Sequence, residues 1–148
     1  MNSARDIAQD VLDRQGAATL AGDIDETLAW CDMPCTLDSL EGRVVATTEA
    51  QMRAICATFI ERLKDRNMTH MVRRCLEAEF KGPDAIWATY ETRYVRAGNL
   101  LSGDPYVGFV ILVRGADRWK ISMLQVAVDG NSPAGEALRK RFPDSGAP

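Results

Sequence analysis

The feature that most restricts this chain is a change of hydrophobic period near Asn67. Before it, apolar residues recur at three- and four-residue steps. After it they alternate, and the alternation runs almost to Val128. On the upstream side Met52, Ile55, Cys56, Phe59, Ile60 and Leu63 make one helical stripe, and Thr48 with Gln51 makes a capping box at its start. On the downstream side "THMVRRCLEAEF", "AIWATYETRYVRA", "YVGFVILVR" and "RWKISMLQVAV" read as strands. The connections "KGPD" and "GAD" are tight, and "GNLLSGDP" is a longer loop. Links this short join antiparallel neighbours.

The N-terminal part is helical. Ile7, Val11, Leu12 and Ala18 share one face, Ser3 is placed to cap it, Gly16 weakens it and Gly22 ends it. Asp23 can cap a second, shorter helix carrying Ile24, Thr27, Leu28 and Cys31. "MPCTLDSL" then reads as a strand opened by proline, and "EGR" as a turn before "VVAT". After the last strand, Ser132 and Pro133 start a short terminal helix, and "PDSGAP" is expected to fray. Residues 1–130 thus form one domain and 131–148 a short helix with a tail. Helices first and strands later predict an α+β fold: a curved antiparallel sheet wrapped round helices, forming a cone.

A chain of 148 residues suits one core. Its net charge of −3 offers nucleic acid no basic stripe, and "RKR" at 139–141 reads as a solvated helix face. No apolar run is long enough to cross a bilayer, and the polar N-terminus lacks the apolar core of a signal peptide, so the expected location is cytoplasmic. In that reducing setting Cys31, Cys35, Cys56 and Cys75 are read as buried small hydrophobes. Their spacing makes no zinc site, and no glycine-rich phosphate loop follows a strand, so neither metal nor cofactor is expected.

The order of these elements resembles the nuclear transport factor 2-like superfamily, in particular its SnoaL-like branch. "LAGDIDETLAWCDMPCTLD" looks like that family's first helix end, Gly-Asp break, second helix and first strand. "TTEAQMRAICATFIERL" looks like its third helix and "ADRWKISMLQVAV" like its closing strand. The resemblance implies a cystatin-like half barrel with a pocket at its open end, pairing as a homodimer through the outer sheet face. It implies a small-molecule-binding protein for an apolar carbonyl or acidic compound. Some members carry out cofactor-free proton transfer, as in cyclisation, isomerisation or dehydration. Others are non-catalytic interaction modules with a filled cone, and both readings stand at this point.

Candidate site residues follow from strand phase. If Val72, Leu76, Ala78 and Phe80 face the helices, His70 and Arg74 face inward with them. Arg74 would then anchor a ligand oxygen or pair with a buried carboxylate, and His70 would shuttle a proton or sit at the core edge. Asp38 lies near where the resemblance puts a carboxylate base, although a shift of one residue reverses its face. It is also a candidate partner for Arg74. Tyr90 is a candidate hydrogen-bond donor into the pocket, and Trp30 a surface for stacking a flat ligand near its mouth. The isomerases' first-helix tyrosine and the dehydratases' paired histidines have no counterparts here, since the chain has one histidine and its tyrosines lie on strands.

Overall fold

The computed structural model describes residues 2–128 and 131–138; the predicted tail and the "RKR" run lie outside the described residues. In chain order the elements are helices α1 (Ala4–Ala21) and α2 (Ile24–Ala29), strands β1 (Cys31–Ser39) and β2 (Gly42–Ala46), and helix α3 (Glu49–Asp65). Strands β3 (Met68–Phe80), β4 (Ala85–Arg96), β5 (Leu100–Leu101), β6 (Tyr106–Arg114) and β7 (Trp119–Val126) follow, then helix α4 (Pro133–Leu138).

The helix signals act as read. The Ser3 hydroxyl accepts from the Asp6 amide, and Thr48 and Gln51 cap each other reciprocally. Gly22, at φ 76°, closes α1 in the left-handed conformation, and Asp23 caps α2. The Ser132 hydroxyl accepts from the Gly135 amide at 2.9 Å to start α4.

The strands form one mixed, curved and unclosed sheet in the order β2-β1-β7-β6-β4-β3, with β5 beside β4. Every pairing is antiparallel except β1 with β7, which run parallel. That one pair departs from the all-antiparallel expectation, because α3 and the following strands intervene between its members in sequence. The helices cover the concave face. Val11, Leu12 and Leu28 meet Cys35, Leu37, Ile86, Val110, Leu112 and Ile121 in one core, each large side chain contributing roughly 1.5–3 kcal/mol. All four cysteines are free and buried.

The decisive local feature is a bulge in β3. Cys75 pairs with Tyr90 and Glu77 with Thr89, so Leu76 is an extra residue in the ladder. Before it, Met71, Arg73 and Cys75 face the helices; after it, Ala78 and Phe80 do. The single phase expected for β3 therefore holds only beyond Leu76. In the first half the faces are reversed, and His70, Val72 and Arg74 are exposed.

Candidate functional site

The reversed phase puts Arg73, not Arg74, inside. Arg73 is 8% exposed. Its Nη2 donates to the Leu12 carbonyl at 2.6 Å and to Gln15 Oε1 at 3.1 Å, while Nε has no partner among the described residues. None of the ion pairs among those residues includes Arg73. The guanidinium reaches α1 because Gly16 leaves room: a Cβ there would stand 3.3 Å from Arg73 Nη2. The glycine that weakens α1 as a helix is what admits the arginine.

Beside Arg73 lies a cavity of about 90 Å³. Gln15 and Thr19 of α1, and Met52, Ile55, Cys56 and Phe59 of α3, form one side. Met71, Tyr90, Thr92, Tyr94, Tyr106, Leu124 and Val126 form the sheet side, and Ala134, Ala137 and Leu138 of α4 also line it. β4 supplies its share because Ile86, Ala88, Tyr90, Thr92 and Tyr94 keep one unbroken inward phase. The Tyr90 ring packs against Gly108 of β6, where a Cβ would come within 2.6 Å of Cζ. The Tyr94 and Tyr106 hydroxyls are hydrogen-bonded at 2.5 Å.

The electrostatics follow from burial. Desolvation raises all three phenols, pushing Tyr94 up to about 12, with Tyr90 and Tyr106 also well above the usual tyrosine value. Cys31 is shifted the other way. A hydrogen bond with the Cys56 thiol favours its thiolate over the opposing effect of burial, and Arg73 and the Gln15 amide add to it. Cys56 is correspondingly raised.

These three are the chain's only tyrosines, which makes a clean pH prediction. Their folded values lie above the unfolded value of about 10, so between the two the folded state holds more protons. The stability these rings contribute should be full below about pH 10 and fall as pH rises from there through the folded values, adding to a loss that the raised thiols of Cys35, Cys56 and Cys75 begin near pH 9. Tyrosinate absorbance should accordingly appear together with unfolding, as loss of near-ultraviolet circular dichroism. Phenolate forming near pH 10 in a protein still folded would contradict the enclosed placement of the three rings.

The other candidates do not meet at this cavity. Arg74 lies opposite Glu91 on the outer face, and Glu91 is paired with Arg93. His70 is exposed, its Nδ1 2.9 Å from the Thr69 hydroxyl. Asp38 has the phase opposite to the inward Cys35 and Leu37. It is paired across the β1–β2 hairpin with Arg43, whose Nε and Nη2 donate to its two oxygens at 2.8 and 3.0 Å. A one-residue offset reverses its face, and Arg43, not Arg74, is its partner. Trp30 caps the end of α2, away from Arg73. Arg118 lies 4.3 Å over its ring, and it lines a separate open groove with Phe80 and Trp119. Of the residues read from sequence, Tyr90 alone lines the cavity.

Arg73, Gln15, Tyr94 and Tyr106 went unread as site residues. The signal for Arg73 was the adjacency of two apolar residues, Cys75 and Leu76, in an otherwise alternating strand, the mark of a phase change.

No protein-family model matches the sequence, and no curated protein matches it. Solved structures do match its shape. An NTF-2-like protein of unknown function from Shewanella oneidensis aligns with a TM-score of 0.66 at 17% identity, over 83% of this chain and 98% of its own. A protein of unknown function from Mycobacterium tuberculosis aligns at 0.67 and 10% identity, over 93% and 86%. A ketosteroid isomerase-like protein from Erwinia carotovora atroseptica aligns at 0.60 and 13% identity, over 86% and 97%. The chain thus has the NTF2-like, cystatin-like fold. Fold likeness at these identities carries no chemistry.

Proposed function

We propose that the protein binds a small, largely apolar molecule that carries one anionic or carbonyl oxygen group, seated in the cavity with that group toward Arg73. One observation carries the reading: a guanidinium is buried against the cavity with unused donors and no carboxylate partner among the described residues. Leaving a charge unpaired in the interior costs several kcal/mol, and a bound anion offsets that cost. The tyrosine hydroxyls and Gln15 supply polar contacts, and the methionines, isoleucine and leucines around them suit an apolar body.

Binding is favoured over proton transfer because no carboxylate or imidazole lines the cavity among the described residues, and Asp38 and His70 lie outside it. A second copy of the chain belongs, in this reading, on the outer sheet face, where Val72, Trp87 and Val107 are exposed. The test is a matched panel. Acetate, propionate and butyrate should raise the melting temperature in proportion to the logarithm of their concentration. Acetamide, propionamide and butyramide should do so far less. Equal responses to acids and amides would remove Arg73 from the reading.

A further inference from the structure

We propose that Thr92 reads a second oxygen on the ligand, so that the site prefers an acid carrying a carbonyl two methylenes from its carboxylate. The inference rests on the reading of Arg73 as the anion site, and it adds a specificity residue to that site. Thr92 is 1% exposed and lines the cavity, yet its Oγ1 makes no hydrogen bond of ordinary geometry among the described residues. The Tyr106 hydroxyl beside it is bonded to Tyr94 instead. A buried hydroxyl without a partner is costly and uncommon.

Strand register brings Thr92 to the same place as Arg73. Arg73 of β3 lies directly opposite Thr92 of β4, and Thr92 lies directly opposite Tyr106 of β6. Residues paired in this way project from one face of the sheet, here the concave one. The row Arg73, Thr92, Tyr106 is therefore polar across three adjacent strands, and Tyr94 joins it through its bond with Tyr106.

Donors outnumber acceptors along this row. Arg73 offers N–H groups alone, and the Leu12 carbonyl and Gln15 Oε1 are already engaged by its Nη2. The tyrosine pair uses one O–H between its members and leaves the other, and Thr92 adds its own. Burial keeps both phenols protonated at neutral pH. Spare donors are matched by a ligand with two separated acceptors. The Arg73 and Thr92 side chains leave the sheet about 5 Å apart. An oxygen placed about two methylenes along the chain reaches Thr92 while the carboxylate stays on Arg73.

Pentanoate and 4-oxopentanoate test this, because they differ at one carbon, a methylene in the first and a carbonyl in the second. Their dissociation constants follow from the concentration dependence of the melting temperature of the full-length protein. The unaltered chain should bind 4-oxopentanoate about tenfold more tightly than pentanoate. Thr92→Val, which keeps the shape and removes the hydroxyl, should narrow that ratio to about twofold or less. Thr92→Ser, which keeps the hydroxyl, should retain it. Equal binding of the two acids by the unaltered chain would overturn the role of Thr92 and leave the anion site standing. So would a preference that survives in Thr92→Val, or one lost equally in Thr92→Ser. Failure of both acids to bind would instead overturn the anion site and this inference with it.

Discussion

Replacing Arg73 by methionine is expected to abolish the stabilisation by small carboxylates while leaving the unliganded protein as stable as before, or more so. Breaking a buried ion pair instead costs about 3–5 kcal/mol, which makes the experiment informative. The guanidinium forgoes most of its hydration and receives two acceptors, the Leu12 carbonyl and Gln15 Oε1, for five N–H donors. Methionine fills a similar volume without the desolvation penalty. Exchanges of buried charge for apolar side chains are often neutral or stabilising by about 1–4 kcal/mol. The Leu12 carbonyl keeps its place in the α1 ladder, so the exchange leaves no helix carbonyl stranded. Urea unfolding of both proteins, with and without butyrate, checks the claim. A loss of about 3 kcal/mol in the absence of ligand, with the butyrate response retained, would make Arg73 a structural residue and end the anion-site reading.

How far this site was legible depends on how many phases each element allows. β4 carries apolar and aromatic residues on one phase throughout, so Tyr90 could be placed inward from sequence. α3 has one stripe and a capping box, and its cavity residues follow from the stripe. β3 has apolar residues on both phases, Met71 and Cys75 on one and Val72, Leu76 and Phe80 on the other, so alternation alone cannot assign its arginines. Asp38 depended on the turn. The turn is Leu40-Glu41, earlier than the "EGR" read from the sequence, and this sets Ser39 opposite Gly42 and Asp38 opposite Arg43, an opposite-charge pair directly across the hairpin. Trp30 and Tyr106 depend on how distant elements meet, and no local pattern encodes that. Gly16 is similar: its sequence cost is visible in α1, but its use appears only where β3 delivers Arg73 beside it.

The bulge itself supplies the second expected effect. Deleting Leu76 should leave a cooperatively folded protein with Arg73 still inside, because the residues on either side of it already pair as consecutive rungs: Cys75 with Tyr90, Glu77 with Thr89 and Ala78 with Ala88. Cys75, Ala78 and Phe80 keep the face toward the helices and Glu77 and Glu79 keep the outer face, so no ionisable group changes sides. The deletion then costs little beyond the side chain of this half-buried leucine, about 1 kcal/mol, and Leu76→Ala should cost the same. Near-ultraviolet circular dichroism with urea titration separates the outcomes. A deletion variant that no longer unfolds cooperatively would mean that Leu76 does more than take up one extra residue in the ladder, and that the inward position of Arg73 depends on the bend the bulge makes.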